Sequence, residues 1–255
     1  AETVLDHIRE QDVAVYLGSE VETLAGDDAI EAVVTDDERV PVEMALVGTG
    51  VRPRTELAEA AGIELGPTGA IAADTYRETS VPDVYAAGDC AETEHAVTGE
   101  PTYVPRAPAA NRRGGASGAT TAGTPTEGGP VAGTAAVKAF QVEAARTGLL
   151  TDEARAGFDP VSRTITAKSR AGYYPEDGEV QVTLVADRDS RRVLGGALTS
   201  EYGEGAVHRS HALVGAVTEG VTVGGLANYD LAYAPPFNTT WDPILTAAKV
   251  LDGSF

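Results

Sequence analysis

Apolar positions recur at helical spacing in the first ten residues, where Val4, Leu5 and Ile8 share one face. The run Val13-Ala14-Val15-Tyr16-Leu17, closed by Gly18, predicts a short buried strand. Further strands are predicted at Ala29–Thr35 and Val40–Val47, with Asp36-Asp37-Glu38 as an acidic turn between them. A helix is predicted over residues 55–61, just after Pro53. Residues 1–69 therefore read as the end of an α/β unit. Residues 70–89 read as two short extended pieces and a tight turn. Ala109–Gly118 reads as a helix weakened by Gly114 and Gly115, and Thr120–Gly133 as a loop. From 133 the texture changes. Thr134–Thr147 predicts a helix with Val137, Phe140 and Ala144 on one side. Strands are predicted at Thr164–Ser169, Glu179–Ala186 and Arg192–Thr199. In the second, Val180, Val182 and Leu184 face one way, and Asp187–Ser190 forms the hairpin connection that follows it. Helices are predicted at Gly205–Thr218 and Asp242–Leu251. Strands in series followed by helices indicate a separate α+β domain over 133–255.

Composition narrows the function classes. Apolar residues make up 42% of the chain, enough for a buried core. No run approaches the roughly 18 apolar residues of a membrane span, and no signal segment opens the sequence. The net charge is −20, from 39 acidic and 19 basic residues. Such a charge repels the phosphates of nucleic acids and of anionic lipid surfaces, so neither is an expected partner. Lysine is scarce (Lys138, Lys168 and Lys249), acid is abundant and Ala and Gly are common, which resembles proteins of salt-loving cells. Cys90 is the single cysteine, so neither an internal disulfide nor a metal cluster is expected, and a reducing cytoplasm fits. His208 and His211 lie at helical spacing without a third ligand nearby, which is the pattern of a surface pair. Met44 is the only methionine, so Ala1 is not the expected natural start and the sequence reads as a fragment.

The most informative segment is Ser80-Val81-Pro82-Asp83-Val84-Tyr85-Ala86-Ala87-Gly88-Asp89. An apolar strand runs into small residues that let a ligand approach the backbone, then into a carboxylate able to accept hydrogen bonds from a polyol. An ordinary strand-ending turn has the same composition. The segment resembles the second flavin-binding motif of the FAD-dependent pyridine nucleotide–disulfide oxidoreductases. Upstream, Ala45-Leu46-Val47-Gly48-Thr49-Gly50-Val51-Arg52-Pro53-Arg54-Thr55 resembles the segment that leads that family's nucleotide domain back to its flavin domain, at the matching separation. Downstream, Pro105–Gly114 resembles the start of the helix that points at the flavin ring. That resemblance assigns FAD contacts to Gly88, Asp89, Ala107 and Asn111.

The C-terminal region resembles one branch of the family. Ala171-Gly172-Tyr173-Tyr174-Pro175 and Tyr229-Asp230-Leu231-Ala232-Tyr233-Ala234-Pro235-Pro236-Phe237 are similar to segments of coenzyme A-disulfide reductases and related NADH oxidases. In that branch two tyrosines reach the partner subunit's active site. Tyr174 and Tyr233 match them, with Tyr173 adjacent to the first. Arg170 and Trp241 fall at substrate contacts, although Trp241 also suits an interface anchor. The resemblance implies the remainder of two Rossmann-like dinucleotide-binding domains, over 1–69 for NAD(P)H and 70–132 for FAD. An α+β dimerisation domain with an antiparallel sheet follows over 133–255. It further implies a homodimeric enzyme using FAD and NAD(P)H, with a small-molecule disulfide or oxygen as electron acceptor.

The redox cysteine of that family lies in the first half of its flavin domain, so Cys90 in the turn after Asp89 is not expected to take that role. No G-x-G-x-x-G occurs, so the phosphate-binding starts of both nucleotide domains are absent from this sequence. The acceptor, and the choice between NADH and NADPH, stay open. The alternative reading is a non-catalytic dimerisation and flavin-capping module.

At molar salt the Debye length falls to about 3 Å and screens the self-repulsion of this acidic surface. Thermal stability is therefore expected to rise between low and molar salt. A flat dependence of melting temperature on salt contradicts the salt-adapted reading.

Overall fold

The computed structural model describes residues 2–175 and 178–255, and these form two compact units, Ala1–Arg52 and Pro53–Phe255. The first holds helix α1 (Glu2–Glu10) and a meander of β1 (Val21–Ala25), β2 (Ala32–Thr35) and β3 (Arg39–Pro41), antiparallel in the order β1-β2-β3. The acidic turn forms where predicted. The Thr35 hydroxyl accepts the amides of Asp37 and Glu38 at 3.3 and 3.1 Å. The strand predicted at Val13–Leu17 does not form, and Leu17 is 63% exposed. A buried-type apolar run needs partners on both sides, and this unit offers it none among the described residues. The strand at Val21–Ala25 escaped prediction because its apolar positions are interrupted by Glu22 and Thr23. The strand predicted over Val40–Val47 is paired only to Pro41, after which one more bond runs from the Val42 amide to Glu31 O at 3.0 Å.

The second unit opens with α2 (Glu56–Ala60). Two extended pieces follow, bridged at Leu65–Ile71, Ile71–Ala91 and Glu78–Tyr85. A small ribbon, β4 (Thr93–Glu94) with β5 (Pro101–Thr102), precedes α3 (Ala107–Thr121). This helix is longer at both ends than the sequence pattern suggested. Pro108 in its first turn has a φ already suited to a helix and no amide to waste.

The predicted helix at Thr134–Thr147 is instead a hairpin of β6 (Ala135–Ala139) and β7 (Val142–Gly148). Alanine is compatible with either period, so Ala135, Ala136, Ala139, Ala144 and Ala145 imitate a helix face. Cross-strand pairing decides the outcome: the Thr134 and Thr147 hydroxyls meet at 2.8 Å, and Phe140 turns the chain at φ 51°. After α4 (Thr151–Ala154) come β8 (Pro160–Lys168), β9 (Glu179–Asp187) and β10 (Val193–Glu201). They are followed by α5 (Ala206–Thr218), α6 (Val223–Leu226) and α7 (Pro243–Asp252). The five-stranded antiparallel sheet has the order β6-β7-β10-β9-β8. Helix α5 packs on β7 and β10, and α7 on β8 and β9.

The core lies between these layers. Val180, Val182 and Leu184 of β9 are fully buried on the predicted face, with Leu198, Leu213, Ile244 and Leu251 against them. Each such side chain contributes roughly 1.5–3 kcal/mol by leaving water. Arg192 ties the sheet to the preceding loop, donating to Ala96 O at 2.9 Å and Val97 O at 3.2 Å.

Gly196 sits where α5 crosses β10. A Cβ there would collide with Thr183 O and lie 3.1 Å from Leu213 Cδ2. Gly196→Ala is expected to cost about 2 kcal/mol, read as a lower urea midpoint at unchanged slope. An unchanged midpoint contradicts this packing.

Candidate functional site

The first part of the site is the turn after Tyr85. Residues 77–86 form a hairpin in which the Ala86 amide donates to Arg77 O at 2.9 Å and Asp83 takes φ 62°. The chain then runs through Ala87 to Gly88, whose φ of 88° is costly for any residue with a Cβ. Apart from its chain neighbours, no atom of the described residues lies within 4 Å of the Cβ position there, so that face is open to a ligand. Asp89 is exposed, and its carboxylate accepts no hydrogen bond from the described residues. The backbone just after it is firmly held: Ile71 donates to Cys90 O at 2.8 Å, and Glu92 donates to Ile71 O at 2.9 Å. A rigid strand end thus presents one free acceptor.

Helix α3 meets this turn from below. Arg113 is fully buried and donates to Ala109 O at 3.2 Å and to Ala91 O, two residues past Asp89, at 3.3 Å. Its Nη2 is buried without a partner among the described residues. Burial pulls the Arg113 guanidinium down from its ordinary pKa, and the Asp89 carboxylate pushes it back up. Tyr103 lies in the same neighbourhood. Burial raises its hydroxyl pKa, and Asp89 raises it further. No side chain caps the first turn of α3, so the amides of Ala107 and Ala109 lack acceptors within the helix. The positive end of the helix dipole adds to them. Asn111, one turn on, is exposed and uses one amide proton on Ala107 O at 2.9 Å.

FAD can be tested against this arrangement. A free carboxylate suits its ribitol hydroxyls, an open glycine turn suits close backbone approach, and an uncapped helix start suits a ring that gains negative charge. The orphaned Arg113 N–H beneath the turn is a donor still wanting an acceptor. These residues fit the flavin.

The second part is built by two loops of the second unit. The loop after β8 carries Arg170, Tyr173 and Tyr174; the loop before α7 carries Tyr233 and Trp241. They are joined by a bond from the Ala171 amide to Pro235 O at 3.3 Å. The Tyr173 and Tyr233 hydroxyls meet at 3.2 Å. That contact raises the Tyr173 hydroxyl pKa above its ordinary value. Tyr174, matched to the family by motif, does not share this contact. Its amide closes a turn on Ala171 O at 2.7 Å. Arg170 is half-buried in an ion pair with Glu204 at 2.7 Å. Trp241 is exposed, with Lys249 Nζ 2.8 Å above its ring. Beneath the loops is a cavity of about 370 Å³ lined by Arg170, Glu204, His208, Arg209 and Asp242, among others. Arg209 and Glu204 carried no motif, and nothing in their sequence surroundings distinguishes them from surface charges. Cys90 donates its thiol to Ala87 O at 3.3 Å. The His208 and His211 rings meet edge to face at 5.9 Å, and no group of three metal-binding side chains occurs among the described residues. None of the helices among them is long and apolar enough to cross a membrane.

Comparison with known proteins bears on both parts. The pyridine nucleotide-disulphide oxidoreductase family matches residues 1–114, and the dimerisation domain of that family matches residues 134–243. The chain is 36% identical over 230 residues to an NAD(P)H sulfur oxidoreductase (CoA-dependent) of Pyrococcus furiosus, covering 90% of this chain and 51% of that protein. It is 34% identical over 250 residues to an NADH oxidase of Methanocaldococcus jannaschii, covering 98% and 55%. A solved NAD-dependent persulfide reductase from A. fulgidus superposes with a TM-score of 0.95 at 34% identity, over 100% of this chain and 47% of that one. The chain thus spans about half the length of the relatives it matches. It carries, one after the other, the domains of a pyridine nucleotide-disulphide oxidoreductase and its dimerisation module.

Proposed function

We propose that this chain supplies the flavin-closing and dimer-forming part of an FAD-dependent oxidoreductase. The enzyme passes electrons from NAD(P)H through FAD to a disulfide such as coenzyme A disulfide, or to oxygen. The observation that carries this reading is the unpartnered Asp89 carboxylate close to Arg113 of α3, a helix whose first turn is uncapped. The lengths of the relatives support a longer chain. So does the run Met44–Val47, where Leu46 is 97% exposed and no partner strand occurs among the described residues. In this reading residues 1–69 complete a nucleotide domain, 70–132 a flavin domain, and 133–255 form the homodimer contact. The salt-adapted origin and cytoplasmic setting belong to the same proposal, on the strength of the acidic composition and the single thiol.

Bound FAD supplies the hydride acceptance and electron delivery. The protein groups do the rest. Gly88 lets the backbone come close, and Asp89 accepts from the polyol chain. The amide of Ala107 and the second amide proton of Asn111 would serve as donors to the same ligand, and the α3 dipole would favour negative charge there. Tyr233, with its hydroxyl partner, donates a hydrogen bond towards a substrate sulfur or flavin edge in the other subunit. A residue given across a two-fold axis is given twice, so each subunit completes its partner's site. By motif the partner of Tyr233 is Tyr174; the hydroxyl contact favours Tyr173 for the role. Arg170 and Trp241, carried by the same two loops, would contact the substrate.

Two outcomes test the reading. Asp89→Ala in the flavin-loaded enzyme is expected to weaken FAD binding tenfold to a hundredfold, about 1.4–2.7 kcal/mol. Flavin fluorescence titration measures it, and unaltered affinity removes Asp89 from the site. Tyr233→Phe is expected to slow NAD(P)H-dependent turnover at least about tenfold while sedimentation still shows a dimer. Unchanged turnover makes Tyr233 a packing residue.

A further inference from the structure

The tyrosine contact poses a mechanical question. Tyr173 is 77% exposed and Tyr233 is 49% exposed, and both stand on loops without regular structure, 60 residues apart. Two freely rotating phenols on separate loops gain little from a 3.2 Å contact in water. The register of the loops must therefore be fixed underneath.

Arg209 does this. It projects from the first turns of α5, and its side chain is 11% exposed. Its Nη2 donates to Ser169 O, immediately before the loop that carries Arg170 and Tyr173. The same nitrogen donates to Phe237 O at 2.9 Å, in the loop that carries Tyr233. Its Nη1 donates to Asn238 Oδ1 at 3.0 Å and to Asp242 Oδ2. Asp242 is itself buried; it accepts the Ile244 amide at 2.8 Å as the cap of α7, and the Asn238 amide at 2.7 Å. One guanidinium thus joins α5, both tyrosine loops and the start of α7. Only a planar fork of donors reaches two carbonyls and a carboxylate together; an ammonium presents a single point.

We propose that Arg209 is the positioning residue of the tyrosine pair, holding the two loops in the register that brings the Tyr173 and Tyr233 hydroxyls together. The proposal rests on the functional reading above only in giving that pair a role in turnover; the positioning itself is independent of it. An ordinary buried ion pair would stabilise α7 and leave the phenols indifferent to its loss. That difference is measurable.

The experiment is an ultraviolet tyrosinate titration of the whole chain, differenced against Tyr173→Phe to isolate Tyr173. In the parent, Tyr173 is expected to ionise above the ordinary range of a tyrosine, and in Tyr233→Phe within it. Arg209→Met is expected to match Tyr233→Phe, and Arg209→Lys to fall between the parent and Arg209→Met. Should Arg209→Met fail to fold, Arg209→Lys decides alone. A Tyr173 titration as high as the parent's in the folded variant overturns the proposal. In the flavin-loaded enzyme, Arg209→Met is expected to lower kcat about as much as Tyr233→Phe, with no further loss in the double variant. Loss of the raised titration with undiminished turnover supports the positioning role and counts against the tyrosines as catalytic groups.

Discussion

Strand β10 is the constraint on which the second unit depends. It is the central strand of the five-stranded sheet, bonded to β7 on one side and β9 on the other, and α5 lies across it. Close approach of α5 is helped by Gly196, whose Cβ would lie 3.1 Å from Leu213 Cδ2, while a side chain at Gly195 would strike the backbone of Thr147 and Leu149. Gly205, at φ 91°, then turns the chain from β10 straight into α5 and sets its direction. Within one turn of that point stands Arg209. The placement of the tyrosine loops is thus a consequence of how tightly a helix can sit on a strand.

The end proposed to face the flavin is organised differently. There the controlling quantity is charge in a poorly solvated place. Arg77 and Arg113 are both buried, and burial is the largest cause of the lowered pKa of each; Arg113 lowers Arg77 further, while Asp89 opposes the shift of Arg113. Gly128 lies between them, 3.1 Å from Arg77 Cδ and 3.2 Å from Arg113 Cγ as measured from its Cβ position, so any side chain there would crowd both. Carbonyl oxygens satisfy part of this pair: Ala73 and Glu92 for Arg77, Ala91 and Ala109 for Arg113. Such an arrangement favours negative partners, and the chain provides Asp74 towards Arg77 and Asp89 towards Arg113. The site is a strand end held rigid by backbone pairing and electrically biased from beneath.

Much of this was legible in the residues themselves. Val180, Val182 and Leu184 alternate cleanly because β9 has one buried face. Gly88-Asp89 alone suits an ordinary turn equally well, and its proposed role rests on the resemblance of the segments around it. The failures have equally local causes. Residues 134–147 are alanine-rich, and alanine carries no period; the turn at Phe140 uses a positive φ without glycine or asparagine to announce it. Val13–Leu17 and Met44–Val47 read as strands because their composition is that of strands with neighbours on both sides, and those neighbours are not among the described residues. Arg209 was invisible for a deeper reason. A hub is defined by what converges on it, and its partners Ser169, Phe237, Asn238 and Asp242 are 28 to 40 positions away.

Trp241 is the only tryptophan in the chain, and Lys249 rests on its ring within the segment that also bears Tyr233. Indole emission responds to a stacked cation and to the polarity around it. The protein therefore has an intrinsic optical probe at one position. Its fluorescence reports on the face where the second subunit is proposed to dock, with no label and no second indole in the chain.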